Sequence, residues 1–405
     1  MTQHYDIELF SQRALLLGKQ TAEDVPATLA AATHAFQIFD GKSSTETDSV
    51  ERKVDRPFFA APRKMITNRR RIIEGGIELV PPLTPGSQPA PCELMLEIGG
   101  MARSYVDAWV TRYNPISRDI ECATAHWFHG KKFTEVTNAR AAISGLTFKV
   151  GDFNKAMTKT QGSFTEVTDD DLPTGVDYSQ FRDPVVVSAE NSRMAVNGVR
   201  VNAKELSLDF GSDLKAKEFT DLRTHRIGDR VATYKARFVP ATTDDLDVYE
   251  LQRTNTIIPM SFLVIEDNGN TTMLTVRGQI EKIDESDEAG DFVYEISGNC
   301  HPTDDGGDEF LLLYSKPIAL VDTMTDLGSV GSPYTEGPLG IKGAYVGPVT
   351  WSLASGAGPT GATLDPTTGL WTGNCTAAGT FTPTVRVTDA IGQTATLALS
   401  ITISP

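Results

Sequence analysis

Cys122, His126 and His129 stand at spacings used by metal ligands, and a thiolate with two imidazoles would suit zinc. The run Ile120, Cys122, Thr124, His126, Phe128 alternates as an extended strand does, which turns His129 to the face opposite His126. A tetrahedral site then lacks both convergence and a local fourth ligand, so the segment reads as a half-buried strand entering a His129-Gly130 turn. Asp304, Asp305, Asp308 and Glu309 gather the hard oxygens that calcium prefers, without the alternating pattern of a calcium loop, and read as a solvated turn. Asp40-Gly41-Lys42-Ser43 ends like a phosphate-binding loop, but the glycine required five positions before Gly41 is Phe36, so no backbone cradle forms. Gly356-Ala357-Gly358-Pro359-Thr360-Gly361 matches the dinucleotide fingerprint. The helix whose amides would face a pyrophosphate is replaced by Ala362-Thr363-Leu364-Asp365-Pro366, which is turn and strand sequence. No GxSxG elbow occurs, and no Ser, His and acid trio is suggested locally. The expectation is a protein that is not an enzyme and uses no catalytic residue, cofactor or metal.

The remaining chemically notable residues are charged and close together. Glu51, Arg52, Lys53, Arg56, Arg63 and Lys64 fall within one long connection, Asp40 to Arg70, and Arg69, Arg70 and Arg71 form the one basic knot of the chain. Structureless loops beyond roughly 12 to 15 residues are uncommon unless they have a job. A mixed-charge surface of this kind suits a partner of the same composition, so these nine residues are expected to be assembly contacts. The whole chain has 37 Lys and Arg against 53 Asp and Glu, a net charge of −16. That balance repels bulk nucleic acid and disfavours tight DNA binding over a broad surface. No run of about 18 apolar residues exists and Met1 to Glu8 lacks the character of a secretion signal, so neither membrane insertion nor secretion is expected. Cys92, Cys122, Cys300 and Cys375 form no CxxC pair and read as buried free thiols.

The elements that would position these groups are mostly strands. Alternation and β-branched content predict strands over Ala35–Phe39, Arg71–Val80, Glu93–Ile98, Arg118–Phe128, Leu146–Val150 and Gly162–Val167, with helix at Pro26–Ala32 and Ala102–Val110. The acidic stretch Glu166–Asp171 followed by Leu172-Pro173-Thr174-Gly175 has linker chemistry. A second series follows at Pro184–Ala189, Glu205–Phe210, Arg230–Val239, Ile257–Glu266, Thr272–Ile283, Phe292–Gly298 and Glu309–Tyr314, with its own long irregular connection at Gly211–Asp229. Beyond Ile341 the charges nearly vanish, and Ala395, Leu397, Leu399, Ile401 and Ile403 alternate with Thr and Ser as one half-buried strand. The expected organisation is mainly β: a first domain at 1–172, a second at 173–322, a linker at 323–340 and a third domain at 341–405.

The first 320 or so residues resemble a major tail tube protein of a long-tailed, siphovirus-type bacteriophage, in the larger form with two tube-like halves. The residues carrying this are Leu16-Leu17-Gly18-Lys19, Val50-Glu51-Arg52 with Arg56-Pro57-Phe58, Glu93 to Met101, Tyr113-Asn114-Pro115-Ile116-Ser117, Trp127 to Lys132, Asn138-Ala139-Arg140-Ala141, Thr147 to Gly151, and Leu206 to Gly211. Where that family commonly shows Gly-Ala-Arg-Gly, this chain has Asn138-Ala139-Arg140-Ala141. The last module resembles a bacterial-type immunoglobulin-like domain through Thr350-Trp351-Ser352-Leu353, Leu364 to Gly373 and Val385 to Gly392.

The resemblance implies two tandem antiparallel tube-type β-barrel or sandwich domains with little helix, an N-terminal arm, a long stacking loop and a C-terminal Ig-like β-sandwich. It implies a virion protein assembled in the host cytoplasm. Its partners would be further copies of itself, with tape measure, tail terminator and distal tail proteins, and double-stranded DNA passing through. Single-domain relatives form six-membered rings, so two halves per chain imply a trimer of pseudo-sixfold symmetry, with a hexamer as the alternative. The axial contact is expected from the Asp40–Arg70 loop and the arm before Gly18. The rival readings are a surface adhesin binding glycans through exposed Trp351 and Trp371, and a metal enzyme built on Cys122 and His126.

Overall fold

A computed structural model describes residues 12–52, 61, 63–219, 222–288 and 290–405. The first half runs β1 (Arg13–Lys19), α1 (Ala31–His34), β2 (Ala35–Phe36), β3 (Phe39–Arg52), β4 (Arg63–Glu78), α2 (Glu93–Ile98), β5 (Met101–Val106), β6 (Val110–Pro115), β7 (Ala123–His129), β8 (Lys132–Lys149), β9 (Lys155–Ser163) and β10 (Thr168–Asp169). The second runs β11 (Ser192–Val196), β12 (Val199–Asp209), β13 (Ser212–Phe219), β14 (Leu222–Arg230), β15 (Thr233–Val239), α3 (Val248–Arg253), β16 (Ile257–Ile265), β17 (Thr271–Gln279), β18 (Lys282–Glu288), β19 (Asp291–Asn299) and β20 (Phe310–Ser315). Eleven short strands complete the chain: β21 (Ala319–Val321), β22 (Leu327–Ser329), β23 (Pro333–Glu336), β24 (Gly340–Lys342), β25 (Thr350–Ser355), β26 (Ala362–Leu364), β27 (Trp371–Asn374), β28 (Gly379–Phe381), β29 (Thr384–Thr388), β30 (Thr394–Ala398) and β31 (Ile401–Ser404).

Two expected elements exchange character. Glu93–Ile98 is helical: Leu, Met and Glu are strong helix formers, Glu93 sits in the first turn, and Gly99 and Gly100 end the helix, the latter at φ +90°. Ala102–Val110 is a hairpin instead of a helix, because Asp107 and Ala108 both adopt positive φ and reverse the chain between β5 and β6. The two long connections are not irregular either. β3 pairs with β4 along their whole length, and β13 with β14, so each is a projecting two-stranded arm.

Two large sheets and the smaller β2-β1-β7 sheet contribute to the main core. The longer of the two large sheets has the order β3-β4-β9-β8-β12-β15-β19-β18, every pairing antiparallel. The shorter has the order β5-β6-β20-β17-β16-β11. Phe148 from the longer sheet meets Phe262 from the shorter with ring centres 5.9 Å apart, and Phe210 meets Phe310 at 4.6 Å. Both sheets cross the expected boundary at 172, through β8·β12 and β6·β20, and one continuous apolar cluster serves both halves. They form one body, because each half completes the other's sheets.

The segment 323–340 is not a linker. It carries β22, which pairs with β31, and β23, which pairs with β27, while Leu320, Tyr334 and Leu339 enter the terminal core beside Trp351 and Trp371. The terminal sandwich therefore starts some twenty residues before the expected 341. Its last apolar alternation is divided between β30 and β31, which pair in different sheets while keeping Ala395, Leu399, Ile401 and Ile403 buried.

This sandwich docks on the shorter sheet. In β16, Ile258, Met260, Phe262 and Val264 enter the main core, while Leu263 turns to the other face and joins Ala195 and Met273 under Ala344 and Ile391. Beside this seam the buried Asp389 carboxylate accepts from the backbone N–H of Val346, Ile391 and Gln393 and from the Gln393 side chain. The order through the molecule is longer sheet, core, shorter sheet, terminal sandwich.

Candidate assembly interface

The longer sheet repeats itself. Its first block, β3-β4-β9-β8, and its second, β12-β15-β19-β18, each begin with two strands that lead into a projecting arm. In each, a helix falls between the second and third strands in the chain and packs on the third and fourth. Thr160 Oγ1 on β9 lies 3.5 Å from the Met95 sulfur on α2, and the ring centres of Tyr294 on β19 and Tyr249 on α3 are 5.8 Å apart. The blocks join where β8 residues 146–149 pair with β12 residues 208–205. Among the described residues β3 pairs only with β4 and β18 only with β19, so the sheet ends in two open edges. Seven antiparallel pairings separate these edges, so they run in opposite directions, as β8 and β12 do.

On the face away from the core most facing charges on neighbouring strands are of opposite sign; the exception is Asp284 opposite Glu295 at the β18 edge. Lys42, Glu74 and Lys159 align across the first block; Lys149, Glu205, Arg237, Glu295 and Asp284 align across the junction and the second. Lys42 Nζ lies 2.9 Å from Glu74, and Lys235 and Arg237 lie 2.9 and 3.3 Å from Glu295. One open edge thus carries a lysine on this face and the other an aspartate, opposite charges for head-to-tail pairing. Lys42 was passed over in the sequence because it read as part of a failed phosphate loop. Asp284 was passed over because Lys282–Glu288 merged with the apolar run before it. A short charged strand is the signature of a managed edge and was the available signal.

The nine residues expected to make assembly contacts are placed unevenly along the first arm. Glu51 and Arg52 are exposed near the end of β3, opposite Lys64 and Arg63. Lys53 and Arg56 lie outside the described residues. The basic knot makes contacts within the chain. Arg70 donates to Glu46 at 3.1 Å and Asp48 at 2.9 Å, Arg71 to Thr45 and Thr134, and Arg69 lies 3.7 Å from Glu166 and over the Phe164 ring. The arm also exposes apolar groups the charge pattern had hidden: Val50, Met65 and Ile66 are each about half exposed.

The second arm, by contrast, lies against the first half. Thr224 and His225 on β14 are buried. The His225 carbonyl accepts from Arg140, its ring bonds Gln161 at 3.1 Å, and Arg226 lies 3.8 Å from Glu23. Burial, with help from the charges of Arg70 and Arg140, pushes the His225 pKa down to about 4 from an ordinary 6.5. Above pH 6.5 the ring is neutral folded or unfolded. As pH falls from 6.5 to 4, only the unfolded chain takes up the proton and stability is lost, by at most roughly 3 kcal/mol. The expected result is that the stability gap between wild type and His225→Gln, read by urea unfolding, narrows over that window and is flat above it.

His126 bonds Glu135 at 3.1 Å, and among the described residues no group of three or more His, Cys, Asp or Glu is arranged to hold a metal. The four cysteines are free thiols, with Cys92, Cys122 and Cys375 buried. Trp351 and Trp371, expected to be exposed if they bound glycans, are 4% and 2% exposed and form the terminal core. Comparison with known families agrees with the revised limits of that module. Residues 317–404 match the Putative Ig domain family, He_PIG, so the chain carries a C-terminal Ig-like domain. No curated protein matches the chain.

Proposed function

We propose that the chain is a structural virion protein whose copies close into rings and stack as the hollow tail tube of a bacteriophage, conducting DNA to the host. The observation that carries this reading is the duplicated longer sheet with open edges at β3 and β18, whose internal junction β8·β12 supplies a template for joining one copy to the next. A head-to-tail contact of this kind is heterologous and closes when the rotation allows. Three copies of eight strands give 24, and strands about 4.8 Å apart with tilts of zero to about 40° enclose a cylinder roughly 37 to 48 Å across between backbones. That leaves room for a duplex. Cations on the face that would line it are already paired with carboxylates, so passing phosphate would release few counterions and adhere weakly. The Ig-like domain, on the far side of the shorter sheet, would decorate the outside.

The partners in this reading are further copies of the chain, the tape measure protein and the proteins that end the tube; the place of residence is the phage tail. Native mass measurement and negative-stain images of concentrated protein test it. Trimers and tubes are the expected result. A lone globule at every concentration overturns the proposal, and a ring of six chains overturns the trimer. Deleting Thr45 to Asp55 should leave soluble subunits that form no long tubes.

A further inference from the structure

The two arms of one chain are equivalent in their place in the two blocks and unequal in surroundings. The second arm crosses the β8·β12 junction backward and settles on the preceding block, where Ile227 approaches Gly100 just beyond α2 and Arg226 approaches Glu23. The first arm leaves Val50, Met65 and Ile66 uncovered, because the block that should precede it belongs to no part of the same chain.

The surface that corresponds to the second arm's resting place lies at the other end of the molecule. Beyond α3, as Gly100 lies beyond α2, come Asn255 and Ile257, the latter 42% exposed at the start of β16. Asn255 bonds Gln279 at 3.1 Å, Gln252 donates to the Glu281 carbonyl at 2.8 Å, and Asn299 at the end of β19 bonds the Glu281 carboxylate. An exposed isoleucine beside an exposed glutamate therefore sits next to the open edge β18. The first arm offers the complement, with Met65 and Ile66 beside Lys64.

We infer that the first arm of one copy clamps the neighbouring copy laterally, over Asn255, Ile257 and Glu281, as the second arm clamps the first half within the chain. This inference rests on the ring reading and adds a specific site to it. The arm expected from the sequence to stack rings axially also locks them sideways. Buried apolar contact supplies affinity here, and the Lys64 and Glu281 charges fix register.

The test places the photoreactive residue benzoylphenylalanine at position 66 of the full chain, with native mass measured before irradiation. The expected result is covalent dimers and trimers whose cross-linked peptides contain residues 254–257, 279–282 or 299 of a second chain. Adding Ile257→Asp should cut the yield more than tenfold while the melting temperature of the monomer stays unchanged. Trimers that form but cross-link to residues 12–41, or not at all, overturn the lateral clamp and leave the ring reading intact. Absence of any oligomer before irradiation overturns the ring reading, and the clamp with it.

Discussion

Replacing Lys42 with glutamate should give a folded monomer that closes rings only at far higher concentration than the wild type. The Lys42 side chain is 69% exposed, so its loss should barely change folding stability. Its effect lies at the seam, where β3 of one copy would meet β18 of the next. Lys42 and Asp284 stand on the two open edges, both on the face away from the core, and glutamate would set carboxylate against carboxylate where those edges meet. Opposed like charges on paired strands cost about 0.2 to 1 kcal/mol relative to neutral pairs. A closed trimer has three identical seams, so about 1 kcal/mol at each amounts to roughly a hundredfold in ring formation. Lys42→Gln should fall between the two, which separates loss of the seam charge from new repulsion with Glu74. Adding Asp284→Lys to Lys42→Glu should restore most of the rings, because it reverses both signs together. Sedimentation across a concentration series reads all four proteins, and rings at wild-type concentrations in Lys42→Glu would place the seam elsewhere.

Strand-rich architecture, two halves and a distinct terminal module were legible because alternation and turn chemistry are local. Pro184–Ala189 and Glu93–Ile98 show where this stops. The first is apolar at every position but Ser188 yet contributes only an isolated bridge through Val186, while the second alternates poorly and becomes a helix under its own propensities. Neither outcome depends on pattern alone. Long-range pairing was less visible still. β8 is 18 residues long and pairs with β7, β9 and β12 by bulging twice, between Thr137 and Arg140 and between Ser144 and Thr147. A bulge shifts which side chains face the core, so strict period-two reading loses the strand midway. The arm was recognised by its length and charge. Its apolar Val50, Met65 and Ile66 were overlooked because isolated apolar residues among charges carry no periodic signal. Arg69, Arg70 and Arg71 were read as reaching outward because sequence adjacency cannot show that Glu46 and Asp48 lie directly across the hairpin.

Arg230→Met should produce the largest loss of fold stability among single replacements of charged residues in the body. Arg230 and Glu309 are almost fully enclosed, with side chains 11% and 10% exposed, and the guanidinium reaches the carboxylate at 2.6 and 3.1 Å. It also donates to the Ile116 carbonyl at 2.9 Å and lies over the Phe310 ring, so one side chain ties the root of the second arm to both halves of the shorter sheet's rim. Removing it leaves a buried carboxylate without its cation. Breaking a buried pair from one side costs about 3 to 5 kcal/mol, whereas replacing both partners by apolar groups of similar volume is often close to neutral. The paired variant Arg230→Met with Glu309→Leu should therefore recover most of what the single variant loses. The Ile116 carbonyl stays unpaired in both, so a residual deficit of about 1 to 3 kcal/mol is expected. Urea unfolding at pH 7.5, where His225 is neutral in both states, isolates this ion pair from the histidine linkage. A double variant no more stable than Arg230→Met would mean that the contacts to Ile116 and Phe310, and not the enclosed charge pair, hold the arm to the sheet.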